Sequence, residues 1–282
     1  MKAITFLALL LVATPSMASP YAWLADWPAA PERTVPLEAR FPAPAGFTRV
    51  VVAPESFAAW LRGLPLHPER TEVLAYDGRP LSRPAIAIVA LDVGRRDVQQ
   101  CADSILRLHA EYLWSHGQGP RAAYHFTSGD RSTFADWSKG ERFKVKGSKV
   151  QRISGGPRGS GHGAYRDWLM HLFTYAGTQS LRLDSDLVGA RPYQAGDFFV
   201  QPGGPGHAVV ILDIAEDTSG RRVALVGQGF MPAEDFHVLQ ADGPRDLGGV
   251  WFALPDDANP WIATPSWAPF HRDQARRFRD VR

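Results

Sequence analysis

The chain has 282 residues, of which 45% are hydrophobic and 21% are charged, a composition typical of a globular protein with one large domain or two small ones. Its 31 Lys and Arg residues are balanced by 29 Asp and Glu residues, so the formal net charge of +2 gives no electrostatic case for a nucleic-acid partner or an acidic membrane. The single cysteine, Cys101, excludes an internal disulfide.

Residues 1–18 have the pattern of a secretory signal peptide. Lys2 provides a positive start, residues 4–13 form an apolar run too short to span a bilayer, and small residues precede a cleavage point near Ala18. No cysteine follows this run and no later stretch is long and apolar enough for a membrane span. We therefore expect an exported protein, periplasmic or secreted, with no transmembrane segment and no lipid anchor.

Residues 19–46 are rich in Pro and Ala and are predicted to form an extended arm. From residue 47 to about residue 275 the hydrophobic pattern predicts a single domain. Its first elements are predicted as strands near 47–52, 71–76 and 85–92 and a helix near 54–62.

The clearest helix of the sequence follows these elements. Asp97 is a good N-cap, and Gln100, three residues later, completes a capping box. Asp103, Arg107 and Glu111 lie four residues apart on one face of the helix, where they can form a ladder of ion pairs. Such ladders are usually solvated, and we expect this one to face the solvent.

A strand near 122–127 leads into a polar and basic loop over about 128–163, and a helix near 165–175 follows. A loop of this length is usually functional or mobile. Its basic residues can be interpreted as a grip for an anionic polymer or a substrate carboxylate, or as an ordinary solvated loop. Trp137 and Arg142 are its candidate substrate-binding residues.

The remaining sequence predicts a series of strands separated by turn signals, near 196–201, 206–214, 221–227, 235–239 and 249–254. A helix first and strands afterwards predict an α+β domain. In this domain the Cys101 helix would pack on a mostly antiparallel sheet.

Three residues on neighbouring elements form a candidate catalytic group. Cys101 lies in the first turn of its helix, where free backbone amides and the helix dipole favour a thiolate. His207 opens one strand and Gln228 ends the next, so the histidine can take the thiol proton while the amide fixes its tautomer. Gly206 would let another chain, such as a peptide substrate, approach closely. The competing interpretation is a hydrogen-bonded turn histidine and a cysteine that packs in the core.

No motif indicates a metal or a cofactor. The other histidines lack the spacing of an HExxH or similar ligand set, and the glycine-rich residues 155–163 do not follow a strand into a nucleotide-binding unit. The segment Gly159-Ser160-Gly161 lacks the spacing of a serine nucleophile elbow. We expect neither a metal nor a cofactor.

A set of short motifs runs through most of the chain. They are Asp92-Val93-Gly94, Gln99-Gln100-Cys101-Ala102-Asp103, Arg107, Glu111-Tyr112, Tyr175-Ala176-Gly177-Thr178, Ser180-Leu181, Gly196-Asp197, Pro205-Gly206-His207-Ala208, Gln228 and Met231-Pro232-Ala233. Over residues 45 to about 270 these motifs resemble an uncharacterised bacterial family, domain of unknown function 4846. This resemblance implies a family and no activity.

More distantly, the order of Cys-bearing helix, His-bearing strand and polar strand is similar to papain-like cysteine peptidases, with NlpC-type and CHAP-type cell-wall hydrolases nearest in style. The resemblance implies a papain-like core with Cys101 as nucleophile, His207 as general base and Gln228 as orienting residue. The Cys101 amide, supported by Gln100, would bind the oxyanion. Two features depart from the pattern: residues 128–190 would be an insertion, and the third residue is commonly His, Asn or Asp.

The sequence therefore leaves two functional hypotheses. The first is an exported cysteine-dependent amide hydrolase that acts on a peptide or peptidoglycan-like substrate. The second is a non-catalytic periplasmic or secreted envelope-binding protein on the same scaffold, in which Cys101 is a core residue.

Overall fold

A computed structural model describes residues 19–147, 149–242 and 247–279, and the predicted signal peptide lies outside these residues. The α-helices of the described residues, α1 to α7, are Trp23–Asp26, Leu37–Arg40, Phe57–Arg62, Cys101–Ser115, Phe134–Ser138, His162–Phe173 and Thr178–Leu183. The strands, β1 to β19, are Val35–Pro36, Phe47–Arg49, Pro65–Leu66, Val73–Leu74, Pro80–Leu81, Ala85–Ile88, Ala123–His125, Arg131–Thr133, Arg142–Lys146, Lys149–Ile153, Ser185–Leu187, Phe198–Gln201, His207–Asp217, Arg222–Gln228, His237–Leu239, Trp251–Ala253, Trp261–Thr264, Trp267–His271 and Ala275–Phe278.

One large sheet forms the centre of the fold. Its strand order is β11-β19-β12-β13-β14-β15-β6, with β2 added to β13 and β16 added to β14. Every pairing in this sheet is antiparallel. The prediction of an α+β protein with a mostly antiparallel sheet is therefore confirmed.

The middle of the sheet is buried on both faces. All residues of β13 from His207 to Ala215 are buried, and β14 is buried from Val223 to Gln228. Helix α4 packs against these two strands. Continuous apolar strands of this kind require cover on both sides, and α4 provides part of it.

The predicted arm and the predicted loop both contain regular structure. The arm carries α1, β1 and α2, and Trp23 within it is buried and donates a hydrogen bond to the Ala90 carbonyl at 2.6 Å. The segment 128–163 contains β8, α5 and the β9–β10 hairpin. The sequence analysis missed this hairpin, although Phe143 and Val145 alternate with polar residues in β9; the second strand, Lys-Val-Gln-Arg-Ile, lacks that alternation and is mostly exposed.

Helix α4 begins three residues later than the sequence predicts. Gln100 is the N-cap, and its backbone amide donates to the Asp103 carboxylate at 3.2 Å, so Asp103 takes the place in the capping box that was predicted for Gln100. Asp97, the predicted N-cap, instead accepts hydrogen bonds from the Ala233 amide and from the Gln100 side chain. Cys101 is consequently the first residue of the helix.

The ladder predicted to face solvent is buried, and that expectation was wrong. Asp103, Arg107 and Glu111 are 4%, 0% and 1% exposed. Arg107 donates to Glu111 at 2.6 Å and to Asp92 at 3.0 Å, so its charge is compensated inside the protein. Helical spacing places these residues on one face, but the spacing cannot tell whether another element covers that face.

Helix α6 and the arm provide this cover. His162, at the start of α6, contacts both Glu111 at 2.9 Å and Asp26 of the arm at 2.6 Å. Arg166 of α6 binds Asp92 at 3.0 Å. Burial raises the pKa of Glu111, but the charge of Arg107 and the bond to His162 outweigh burial and leave this pKa below its usual value. The ion network therefore joins α4, α6 and the arm.

We predict that Arg107→Ala lowers the free energy of unfolding by roughly 3–5 kcal/mol, because it leaves the buried Glu111 without its arginine partner and removes one of the two arginines that bind Asp92. Urea denaturation followed by tryptophan fluorescence measures this. Arg40→Ala, at an exposed residue of α2, is the control and should change the free energy by less than about 0.5 kcal/mol. A loss below about 1 kcal/mol for Arg107→Ala would contradict a structural role for the network.

Candidate active site

The start of α4 lies where β13 and β14 separate. Their last paired residues at this end are Val210 and Gly227, so β13 continues from His207 to Val209 without a partner in β14. Gly229, just after β14, lies so close to α4 that a Cβ atom there would be 2.5 Å from the Ser104 hydroxyl. The separation of the strands thus leaves room for the first turn of the helix.

The Cys101 sulfur lies against the backbone at the start of β13. Sγ is 3.9 Å from the Gly206 carbonyl oxygen, and the backbone amides of Ala102, Ala208 and Cys101 itself point to the sulfur. The sulfur therefore contacts the residue before His207 and the residue after it. Gly206 is needed here, because a Cβ atom would lie 2.6 Å from the Gln201 carbonyl oxygen.

The electrostatic surroundings of Cys101 favour a neutral thiol. Burial, together with the negative charge of Asp103, raises the pKa of Cys101 to about 11, and the three backbone amides only partly offset these effects. Burial also raises the pKa of Asp103 to about 8, and one of its carboxylate oxygens has no hydrogen-bond partner among the described residues. The thiolate expected from the helix position alone is therefore not favoured in this structure.

A chain of hydrogen bonds determines which nitrogen of His207 carries its proton. The Asp235 carbonyl can only accept, so Nδ1 of His237, 3.0 Å away, is the donor and Nε2 of that neutral ring is an acceptor. The Gln228 amide nitrogen donates to this Nε2 at 3.4 Å and to the Ser266 hydroxyl at 3.1 Å. The Gln228 oxygen consequently faces His207 and accepts from its Nε2 at 2.8 Å.

The other nitrogen of His207, Nδ1, carries a lone pair and is buried without a hydrogen-bond partner in the described part of the chain. Burial lowers the pKa of His207 to about 4, so the ring is neutral near pH 7. The rings of Phe230 and Trp267 lie 4.8 Å and 5.0 Å from the imidazole and cover it. The side chain is thus a neutral, desolvated base in a fixed tautomer.

The structure brings some of the predicted site residues together. His207 and Gln228 are hydrogen-bonded, and Cys101 contacts Gly206, but no hydrogen bond joins Cys101 to His207 among the described residues. The side-chain amide of Gln100, the predicted oxyanion support, donates to Asp97 at 3.0 Å.

The two aromatic and basic candidates lie in a different cluster. The guanidinium of Arg142 stacks 3.6 Å above the Trp137 ring and donates to the carbonyls of Trp137 and Glu141. Trp137 also packs against His171. These contacts hold the β9–β10 hairpin against α5 and α6, and none of them involves Cys101 or His207.

Sequence reasoning missed the residues that orient Gln228. His237, which lies opposite Gln228 in the β14–β15 pairing, was treated as one of several scattered histidines. The sequence offered one indication: His237 lies in the short strand predicted directly after the strand that ends at Gln228. Ser266 and Trp267 belong to β17–β18 and the turn between them, which the sequence analysis did not predict.

The described residues contain neither a cluster of metal ligands nor a membrane-spanning helix. Across residues 19–147, 149–242 and 247–279, no group of three or more His, Cys, Asp or Glu side chains is placed to hold a metal ion. Within the same described residues, no helix is both long enough and apolar enough to cross a membrane.

Comparison with known proteins gives one match. The family described as domain of unknown function (4846) matches residues 37–277, which is most of the chain. No curated protein and no solved structure matches the chain significantly. The match thus covers every residue of the candidate site and the central sheet except Phe278, the last residue of β19.

We predict that the Asp103→Asn variant becomes more stable relative to the wild-type protein as the pH rises from 4 to 8. The folded carboxyl, with a pKa of about 8, stays protonated while the unfolded one ionises near pH 4, so the native aspartate costs stability across this window. The cost approaches about 1.4 kcal/mol for each unit of pKa difference. Urea denaturation of both proteins at pH 4, 6 and 8 measures it, and a difference independent of pH would refute the raised pKa.

Proposed function

We propose a function for this chain, which belongs to the family described as domain of unknown function (4846), on the basis of its Cys101, His207 and Gln228 arrangement. The chain is an exported cysteine-dependent amide hydrolase with a papain-like catalytic core. Cys101 is the nucleophile, His207 is the general base, and Gln228 orients the histidine. The substrate is a peptide or a peptidoglycan-like polymer, a class that the proposed export makes accessible.

The observation that carries the proposal is the unpaired Nδ1 of His207. The bond from Nε2 to Gln228 holds the ring in the tautomer whose Nδ1 can accept a proton. The Cys101 sulfur contacts Gly206 and the Ala208 amide, on either side of this histidine. A buried acceptor without a partner is energetically unfavourable, and a role in proton transfer would explain why Nδ1 of His207 is left without one.

The pKa values of Cys101 and His207 define the protonation states from which such a reaction would start. With the pKa of Cys101 about 11 and that of His207 about 4, the resting pair is a neutral thiol and a neutral imidazole. The thiol proton would move to Nδ1 as the sulfur attacks the substrate carbonyl, after a side-chain rotation that brings the two atoms within hydrogen-bond reach. His207 would then be the imidazolium that the Gln228 oxygen stabilises.

The remaining steps use the same residues. The tetrahedral oxyanion would accept a hydrogen bond from the Cys101 amide, with Gln100 contributing if its side chain leaves Asp97. His207 returns its proton to the leaving amine as the carbon–nitrogen bond breaks, which leaves a Cys101 thioester. Water, deprotonated by His207, hydrolyses the thioester and regenerates the thiol.

One observation favours the second hypothesis, an envelope-binding protein without catalytic activity. The Cys101 side chain is buried, with 4% of the residue exposed, and its raised pKa is that of an inert core thiol. Reactivity of the thiol in the folded protein therefore distinguishes the two functions.

We predict that iodoacetamide labels Cys101 in the folded chain at pH 7, and that His207→Asn slows this labelling at least about tenfold because the proton acceptor is lost. Intact-mass spectrometry measures the rate, and since Cys101 is the only cysteine each protein gains one adduct. His116→Asn, at the C-cap of α4, is the matched histidine control and should label at the wild-type rate. Labelling that occurs only in denaturant would favour the binding protein.

The same proteins test hydrolysis directly. Purified peptidoglycan is incubated with each protein, and new primary amines are quantified and assigned by mass spectrometry. Cys101→Ala and His207→Asn should each reduce release of amines by roughly a thousandfold or more, while His116→Asn retains activity. If Cys101 is reactive but no amines are released from peptidoglycan, the substrate is a different amide. If Cys101→Ala releases amines as fast as the wild-type protein, the mechanism is excluded.

A further inference from the structure

A second site lies on the opposite side of α4 from the ion network. A cavity of about 870 Å³ opens between α4, the β7–β8 hairpin and strands β11 and β19. This volume is in the range of pockets that bind small organic molecules. Neither Cys101 nor His207 lines it, so the cavity is separate from the candidate active site.

The wall of this cavity is strongly basic. Five arginines and two aspartates line it, which gives a net charge of +3 if His109 is neutral. Burial lowers the pKa of His109 to about 3, so its ring carries no charge near pH 7. The whole chain has a formal net charge of only +2, and this cavity therefore concentrates positive charge that the rest of the surface balances.

The two aspartates of the cavity are already paired. Asp184 accepts from the ring of His125 at 2.5 Å and from the His125 amide at 3.0 Å. Asp186 pairs with Arg279 at 2.9 Å. Each carboxylate is therefore held by groups other than Arg121 and Arg131.

Two of the five arginines have no carboxylate or carbonyl partner in the described residues, namely Arg121 and Arg131. Arg191 binds the carbonyls of Val188 and Leu187, and its charge also acts on Asp197, which pairs with Arg277 at 2.6 Å. Planar guanidinium groups match the two oxygens of a carboxylate or phosphate. The cavity thus offers uncompensated guanidinium groups on a scaffold that is already ordered.

The floor of the cavity is aromatic. His109 stacks on Phe278 with ring centres 4.0 Å apart and is hydrogen-bonded through Nδ1 to the Tyr124 hydroxyl at 2.8 Å. These contacts hold the three rings in place without any ligand. A cationic rim above a fixed aromatic floor suits a molecule with an anionic group on a compact organic body.

We propose that this cavity binds a small organic anion, a phosphate or carboxylate compound, whose charged group contacts Arg121 and Arg131 and whose organic part lies toward Phe278. The site is independent of the proposed hydrolase function and would persist if Cys101 proved to be a core residue.

Isothermal titration calorimetry of the full chain at low ionic strength tests the proposal with three probes: inorganic phosphate, phenyl phosphate and benzoate. Wild-type protein should bind at least one probe saturably, and phenyl phosphate should bind more tightly than inorganic phosphate because of the aromatic floor. Arg121→Gln combined with Arg131→Gln should weaken binding at least about tenfold. Tighter binding of phenyl phosphate than of benzoate would assign a phosphate ligand, and the reverse order a carboxylate.

Two variants serve as controls. Arg40→Gln removes the same charge from an exposed residue outside the cavity and should bind within about twofold of wild type. Arg121→Lys combined with Arg131→Lys keeps the charge but loses the planar geometry, and should give intermediate affinity. Circular dichroism verifies the fold of each variant. The proposal fails if no probe binds wild-type protein saturably, or if the double glutamine variant binds as tightly as Arg40→Gln.

Discussion

Arg107 places a positive charge in the protein interior, and the arrangement of α4 depends on how that charge is compensated. Asp92 and Glu111 surround the guanidinium, and His162 and Arg166 of α6 close the network from the other side. Buried ion pairs add little net stability compared with apolar packing, but breaking one is costly. The network therefore acts chiefly as a geometric constraint, since α4 cannot rotate or slide without straining the contacts that Arg107 and Glu111, both fully buried, make with Asp92 and His162.

This constraint fixes the position of the Cys101 sulfur at the start of β13. A second, smaller network fixes the imidazole of His207 through directional hydrogen bonds rather than charge. Because a backbone carbonyl can only accept, the Asp235 carbonyl determines the proton positions on His237, Gln228 and finally His207. The Asp235 carbonyl, three hydrogen bonds away, thus sets the orientation of the His207 ring. No ionised side chain is needed for this.

Patterns within one element were sufficient to predict most strands of the central sheet and the elements that carry Cys101, His207 and Gln228. What they could not predict depends on contacts between elements. Asp97 has the chemistry of an N-cap, but its carboxylate accepts a hydrogen bond from the Ala233 amide instead, and the helix begins later. Strand β19 was missed because its sequence, Ala-Arg-Arg-Phe, reads as exposed, whereas Arg277 is held by Asp197 of the neighbouring loop. His237 joins the site only through its pairing with β14.

Helix α4 also determines how the two proposed sites relate to each other. Cys101 begins the helix and His109 lies eight residues later, about 12 Å along an axis that rises 1.5 Å per residue. Arg107 lies between them, and its ion network resists any shift of the helix along this axis. Binding of an anion near His109 would therefore not shift α4. The free energy of anion binding could not be transmitted to the Cys101 thiol by movement of this helix. The two sites are expected to act independently unless a single extended ligand reaches both.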